Sequence, residues 1–382
     1  MASSKLPKLL LAAGLAALAV KAGMDSLAIP LAERQPSLAL ALDADQPDAL
    51  GAEAINAFAG QGGADVATDR AIAALMANPM EAKAIAQLGI VRQLESEDDE
   101  ARALLEHSLR LSRRATSAHL WWIEYWAARG DLDRALYHYN STLRTSRAAP
   151  STLFPTLVNA VRNPLVARGV ADIFTEAAPW HGLFLQQLAQ SGQPRAIETL
   201  FAALSAEEYE VAPAILNDAL ARLIDLGSAR EAADLYASTT GREGADAVRD
   251  LPDGPAVASA TLFDWRIVDG APAYFEDGAL VVEPSGSERS ALATQLLALG
   301  QGPVSLVFDI ADDGGSATGF EPRLACRGGI IPVTQDIARS NGSVVLSASV
   351  PAQCALQELT LFSAGAAEEL RIGSVRLAGA VR

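Results

Sequence analysis

The spacing of apolar residues divides this chain into a helix-forming part and a strand-forming part. From residue 67 to 240, apolar positions recur at the three-to-four-residue spacing of amphipathic helices. Beyond residue 259 the spacing drops to two, and short apolar runs alternate with turns rich in Gly, Asp and Asn. We therefore predict an α + β multidomain chain, in which helices are followed by an antiparallel β-sandwich.

Individual elements follow from the same pattern. The predicted helix pairs are Glu81–Glu95 with Glu100–Ser112, Ser117–Arg129 with Leu132–Thr145, and weaker pairs within 151–175, 180–203 and 210–238. The predicted strands are Thr261–Val268, Ala279–Glu283, Ala291–Leu299, Val304–Ile310, Arg323–Cys326, Val344–Val350, Leu356–Phe362 and Leu370–Leu377. Segments rich in Ala, Pro, Asp and Gly predict a linker with one short helix over 23–66 and a second linker over 241–258.

The helical part contains a repeat of 34 residues. The repeat positions of Gly89 and Ala101 are occupied one period later by Ile123 and Ala135. Gly130 marks the turn between two helices. This period is typical of helix–turn–helix solenoids, whose units must stack because none can bury its apolar face alone. Stacked helix pairs form a surface for holding partners, so the pattern favours an interaction protein.

These positions resemble the tetratricopeptide repeat. The leucine-glycine pair of that repeat matches Leu88-Gly89, its turn glycine matches Gly130, and its aromatic position matches Tyr139, within a region covering about 67–240. The resemblance implies a groove, lined by the first helix of each pair, that binds an extended peptide or a partner helix. In this register the groove residues are Lys83, Ala86, Ile90, Gln93, Leu120, Glu124 and Ala127.

Charge excludes some classes of partner. The formal net charge is −16, which disfavours binding to nucleic acid and adsorption to an anionic membrane surface. Half of the residues are apolar, so the chain contains enough material for a sizeable core in two or three domains.

The N-terminus resembles an export signal. Lys5 and Lys8 precede the apolar run Leu9–Val20, which is short for a membrane span. Residues 1–22 fit either a cleaved signal peptide, with cleavage near Val20-Lys21-Ala22, or an uncleaved anchor in the inner membrane. A buried N-terminal helix of a cytosolic protein is the third interpretation. Either export interpretation predicts a periplasmic location.

The two cysteines fit an exported protein. Cys326 and Cys354 lie 28 residues apart, and the four histidines all fall in the helical part. Two thiols without nearby histidine do not predict a zinc site, whereas an oxidising compartment favours a single disulfide. We expect neither a metal nor a cofactor.

The C-terminal part, from about residue 260 to 380, also resembles a known module. The segments that carry the resemblance are Phe263-Asp264-Trp265, the run that begins at Gln295, Val350–Cys354 and Gln357–Leu361. They are similar to a jelly-roll domain of tetratricopeptide proteins in the bacterial cell envelope, and more distantly to carbohydrate-binding modules. The resemblance implies a place in exopolysaccharide or O-antigen systems and a possible polysaccharide ligand at the sandwich.

An aromatic cluster is the densest group of large side chains. Helical spacing places Trp122 and Trp126 on one face of their helix, and Trp121 and Tyr125 on another. At least one face must pack in the core, and the other is free to bind a partner or a sugar.

Two further motifs do not predict a catalytic or metal site. The run Tyr137–Asn140 contains residue types that polysaccharide lyases use, but consecutive helical residues point to different sides and do not converge. The acidic group Asp309, Asp312 and Asp313 lacks the glutamate of a calcium loop, because Phe320 occupies the twelfth position.

From the sequence we predict a non-catalytic scaffold or recognition protein of the cell envelope. Two alternatives stay open: a carbohydrate-binding protein acting through the sandwich, and an enzyme of the lyase or hydrolase type. Exposed coplanar aromatic rings on the sandwich would favour the first alternative, and a cleft of converging His, Tyr and carboxylate groups would favour the second.

Overall fold

A computed structural model describes residues 5–60, 63–241, 248, 250–254, 261–284, 289–311, 319–327, 331–340, 342–363 and 369–378. Within these residues a series of helices is followed by two antiparallel β-sheets, which confirms the predicted fold class. The chain divides into two compact units, Met1–Leu153 and Phe154–Arg382. The second unit therefore contains both the later helices and the sheets.

The helices follow the predicted pairs closely. Their bounds are α1 (Lys5–Leu31), α2 (Pro36–Leu42), α3 (Pro47–Ala59), α4 (Gly63–Ala77), α5 (Ala82–Leu94), α6 (Asp98–Leu111), α7 (Thr116–Ala128), α8 (Leu132–Thr145), α9 (Ala149–Ala160), α10 (Pro164–Phe174), α11 (His181–Ser191), α12 (Pro194–Ala206), α13 (Pro213–Asp225) and α14 (Ala229–Thr240).

Close packing at small residues explains the repeat. A Cβ atom built on Gly89 would lie 2.8 Å from Cγ of Leu105, so α5 and α6 approach each other more closely there than any larger residue permits. Ala101 and Ala135 are buried in the two successive helix pairs. Gly130 has a φ of 72°, the left-handed conformation that ends α7.

The segment 23–66 is largely helical, where the sequence predicted a linker with one short helix. Two of its prolines stand at the first positions of helices, Pro36 in α2 and Pro47 in α3, where a missing amide hydrogen costs nothing, and Pro30 lies near the end of α1. Ala49 and Ala54 are completely buried, so the alanine-rich composition serves close helix packing. Composition alone does not distinguish a proline or alanine in a packed helix from one in a loop.

Part of the apolar segment in the N-terminal helix is uncovered. Leu15, Leu18 and Val20 are each about 60 % exposed or more, and from Leu15 onward the first buried residue is Ala28. None of the described helices combines the length and the hydropathy that crossing a bilayer requires.

Ten strands are described in the C-terminal part. Their bounds are β1 (Arg266–Ile267), β2 (Ala273–Glu276), β3 (Ala279–Val282), β4 (Ser290–Leu297), β5 (Gly302–Ala311), β6 (Phe320–Cys326), β7 (Thr334–Ser340), β8 (Ser343–Val350), β9 (Gln357–Ser363) and β10 (Leu370–Leu377). The strand order is β1-β4-β9-β6 in one sheet and β2-β3-β10-β5-β8-β7 in the other. A single apolar core between the sheets contains side chains from both of them.

The pattern missed β2 and β7, which both lie at an edge of the six-stranded sheet. Most side chains of β7 are exposed, so this strand carries no apolar run for a pattern to detect. The long strand predicted over Thr261–Val268 pairs only at Arg266–Ile267. Elsewhere in that segment, Trp265 packs into the core between the sheets, whereas Leu262 and Asp264 bond to helices.

Residues 261–265 connect the sheets to α13 and α14. The carboxylate of Asp264 accepts hydrogen bonds from the hydroxyl of Tyr236 (2.7 Å) and from the amide of Thr261 (2.9 Å). The side-chain oxygen of Asn217 accepts one from the amide of Leu262 at 3.0 Å. Much of the predicted linker 241–258 lies outside the described residues, but these bonds join helices and sheets directly.

The predicted disulfide is confirmed. Cys326 at the end of β6 and Cys354 before β9 are bonded, with their Cα atoms 5.5 Å apart. Of the acidic group considered for calcium, Asp312 and Asp313 lie outside the described residues. Asp309 pairs with Arg376 at 2.9 Å on the surface of the six-stranded sheet.

Candidate functional site

The predicted groove residues on α5 do not form an open surface. Ala86 is completely buried against Leu105 and Ala118, so its assignment to a ligand-binding surface is corrected. The reason is that α5 is packed nearly all round and buries seven of its residues. Ile90 packs against the same cluster and is half-buried.

The polar members of the α5 set already have partners. Lys83 forms an ion pair with Glu33 at 2.7 Å, which lowers the pKa of the Glu33 carboxyl. Gln93 donates a hydrogen bond to Asp98 at 2.6 Å across the turn between α5 and α6. Both side chains therefore hold neighbouring segments of the helical unit together.

The α7 members are more accessible. Glu124 and Ala127 are exposed, and Leu120 is half-buried. Burial raises the pKa of Tyr139 on the next helix, and the negative charge of Glu124 adds to that increase. The accessible part of the predicted groove is therefore α7 alone.

The same helix carries the aromatic ledge, which we define as Trp121, Trp122, Tyr125 and Trp126. Trp121 stacks on Tyr125 with ring centroids 4.9 Å apart, and Trp122 stacks on Trp126 at 5.6 Å. All four rings are half-buried. The i, i+4 stacking holds the rings in order along the helix. Because every ring is half-buried, neither face of the cluster is wholly core or wholly surface.

Two arginines cap the outer ends of these stacks. The guanidinium of Arg129 lies 3.5 Å from the ring centroid of Tyr125, and that of Arg134 lies 4.3 Å from the ring of Trp126. Each is a cation–π contact. The Arg129 contact continues the spacing of Trp121 and Tyr125 by one more turn, a signal that was visible in the sequence. Arg134 comes from α8, so only the tertiary structure brings it to the ledge.

An open cleft of about 600 Å³ adjoins the ledge. It is lined by Ser96, Glu97, Asp98, Asp99, Glu100, Arg102, Tyr125 and Arg129. A hydrogen bond with Glu100 raises the pKa of Glu97, so these two carboxyl groups lie close together. Arg92 offsets part of this charge through contacts with both groups. A cationic side chain is the ligand group that this cleft suits best.

Behind the ledge lies a buried histidine pair. The Nδ1 atoms of His119 and His138 are 2.9 Å apart, and His138 also stacks on Trp122. His138 therefore faces the interior, whereas Tyr137 is 62 % exposed. The run Tyr137–Asn140 does not converge on one point.

On the sheet domain the aromatic rings are mostly buried. Phe263, Trp265, Phe275, Phe308 and Phe320 are each at most 2 % exposed. Tyr274 is 39 % exposed, and the ring of Phe362 is covered by Arg289 at 3.8 Å. The described residues therefore contain no flat platform of aromatic rings on which a sugar chain stacks.

Comparisons with known proteins add little. No protein-family model matches the chain, and neither does any curated protein. One solved structure from Pseudomonas aeruginosa, described as "Functional Characterization of Pseudomonas Aeruginosa pilF", is 16 % identical with a TM-score of 0.30. The match covers 57 % of this chain and 97 % of that one. At this TM-score the similarity does not establish a shared function.

Proposed function

We propose that this protein is a non-catalytic scaffold that holds another protein on the aromatic ledge of α7. The observation that carries the proposal is a set of four half-buried aromatic rings on one helix, capped by Arg129 and Arg134. Aromatic side chains and arginine are the residues that dominate the binding energy of protein interfaces. The partner is an extended segment or a helix that carries an apolar side chain for the ledge and a basic one for the acidic cleft.

Site-specific photo-crosslinking tests this proposal. A photoreactive residue at Glu124 or Ala127, both exposed on α7, should give a defined adduct in envelope extracts, identified by mass spectrometry. The matched control position is Ala103, which is exposed on α6. Replacing Trp126 by Ala should abolish the adduct at Ala127. The same adduct from the control position, or one insensitive to the Trp126 change, would reject the ledge as the binding surface.

We further propose that the protein is exported to the cell envelope. Support comes from the disulfide, which persists in oxidising compartments, and from the exposed apolar residues of α1. That exposure argues against a helix buried in the core of a cytosolic protein. A reporter enzyme fused after residue 60 should be active only outside the cytoplasm, and cytoplasmic activity would contradict export.

A role beside exopolysaccharide or O-antigen synthesis rests on the jelly-roll resemblance of the C-terminal part. It predicts that loss of residues 259–382 lowers the yield of surface polysaccharide. Direct sugar binding by the sandwich is the weaker alternative, because the rings that stack on sugars are buried there. A lyase or hydrolase activity is the weakest alternative, because His138 faces the interior and is not open to a substrate. Sugar cleavage that depends on His138 or Tyr139 would overturn the proposal.

A further inference from the structure

Four polar side chains form one line across the whole four-stranded sheet. Arg266 on β1 is directly opposite Thr294 on β4, and Thr294 is opposite Thr360 on β9. Thr360 in turn is opposite Arg323 on β6. Residues directly opposite in adjacent strands project from the same side of a sheet, so all four share one face. We call this set the arginine–threonine row.

The row lies on the outer face of the sheet. Leu324 and Leu359, which follow Arg323 and precede Thr360 in their strands, are both buried in the core between the sheets. Because successive residues of a strand alternate between faces, the row projects away from that core. Arg323 is exposed, and the other three members are half-buried.

The donors of the row lack acceptors. Neither Arg266 nor Arg323 has a carboxylate partner among the described residues, and the hydroxyls of Thr294 and Thr360 make no hydrogen bond there. The Nε atom of Arg266 is buried without an acceptor. Buried donors in folded proteins are nearly always paired, so the Arg266 guanidinium lacks the internal acceptors that usually hold such a group, and its remaining donors are left for an external acceptor.

The surrounding charges leave the row positive. Glu321, two residues from Arg323 on the same face, is held by Arg289 through two hydrogen bonds of 3.0 and 3.1 Å. Glu358, on the neighbouring line of side chains, is exposed and is the other carboxylate close to the row. In a chain with a net charge of −16, two arginines without partners on one face are complementary to an acidic ligand.

We propose that the arginine–threonine row binds an acidic peptide segment of a partner protein, independently of the ledge on α7. Three strand spacings separate the Cα atoms of the two arginines by about 14 Å, so their side chains can reach two carboxylates of one extended segment. Guanidinium groups bind carboxylates in a bidentate manner, and the threonine hydroxyls donate to the segment between them. An acidic sugar chain fits less well, because Phe362, the aromatic residue two positions after Thr360 on the same face, has its ring covered by Arg289.

Fluorescence anisotropy with the full chain and a labelled octaglutamate peptide tests the row. The Arg266→Ala/Arg323→Ala variant should bind the peptide at least tenfold more weakly than the unchanged protein. The matched control is Arg168→Ala/Arg230→Ala, which removes two charges at exposed positions on helices, away from the row. This control should stay within twofold of the unchanged protein.

Further variants keep the test decisive if the double alanine variant does not fold. Thr294→Val/Thr360→Val keeps side-chain shape and charge, and it should weaken binding about threefold. Equal losses in the row and control variants would show a general charge effect and overturn the proposal. So would the absence of peptide binding at low salt, or tighter binding of an oligogalacturonate of the same charge, which would assign the row to a sugar. Binding of sulfate alone at equal strength would overturn it as well.

Discussion

The histidine pair behind the ledge should make the stability of α7 and α8 depend on pH. His119 Nε2 lies 3.1 Å from the carbonyl oxygen of Arg113, which can only accept a hydrogen bond. His119 Nε2 therefore carries the proton, and its Nδ1 accepts from Nδ1–H of His138 at 2.9 Å. Both rings are neutral in this arrangement, and a proton added to Nδ1 of His119 would face the Nδ1–H of His138 and have no acceptor.

The magnitude follows from the pKa of His138. Burial, together with the charge of His119 when it is protonated, lowers the pKa of His138 from 6.5 to about 4. Between these values the unfolded chain binds a proton that the folded chain does not. The free energy of unfolding is therefore highest above pH 6.5 and falls as the pH drops towards 4. At about 1.4 kcal/mol per unit, the loss from His138 is about 3 kcal/mol. Burial also lowers the pKa of His119, which adds to the loss in the same direction.

The assay is hydrogen exchange of peptides from α7 and α8 at pH 7.5, 5.5 and 4.5, corrected for the intrinsic exchange rate. The variant His138→Gln keeps a donor for His119 but does not titrate, so it should be destabilised at pH 7.5. Its deficit should shrink by about 2.5 kcal/mol at pH 4.5, since the full loss is reached only below the folded-state pKa of about 4. The control is His107→Gln, because His107 is exposed on α6 and makes no part of the pair. A deficit of His138→Gln that is constant with pH, or matched by the control, would refute the reasoning.

Three further predictions concern a close helix contact, the disulfide and one hydrogen bond. Gly89→Ala should destabilise the first unit by about 1 kcal/mol, because overpacking against Leu105 exceeds the gain in helix propensity. The control is Gly182→Ala, whose methyl group meets nothing within 4 Å and should not destabilise the protein. Equal melting temperatures of the Gly89→Ala and Gly182→Ala variants would contradict the close contact between α5 and α6. Removing the disulfide by Cys326→Ala/Cys354→Ala should cost the sheet domain about 3–4 kcal/mol in urea unfolding, and an unchanged midpoint would refute this. Tyr236→Phe should cost about 2 kcal/mol through the lost bond to Asp264, whereas an equal loss in Tyr274→Phe would show that the bond is unimportant.

The sequence by itself determined the local elements. Helix pairs over 82–145 and eight of the strands follow from periodicity, because each element must bury one face and its apolar residues repeat accordingly. The 34-residue repeat placed Gly89, Ala101 and Ala135 at close helix contacts, since only small residues permit them. The disulfide followed from two cysteines in a chain with the features of an exported protein.

The tertiary structure decided which side of each element is covered. Ala86 was assigned to a groove because a single helix face was assumed to be open, whereas neighbouring helices enclose α5. The exposed edge strand β7 carries no apolar signal, prolines such as Pro36 and Pro47 suit either a loop or a helix start, and alanines such as Ala49 suit either a linker or a close helix contact. These roles depend on neighbours distant in the chain.

Dependence on residues distant in the chain also distinguishes the aromatic ledge from the arginine–threonine row. Stacking of Trp121, Tyr125 and Arg129 was within reach of the sequence, because i, i+4 spacing along one helix is a local property. The arginine–threonine row was not, because its members come from four strands spread over nearly a hundred residues. Only the strand order β1-β4-β9-β6 brings them into one line, and no spacing along the chain encodes that order.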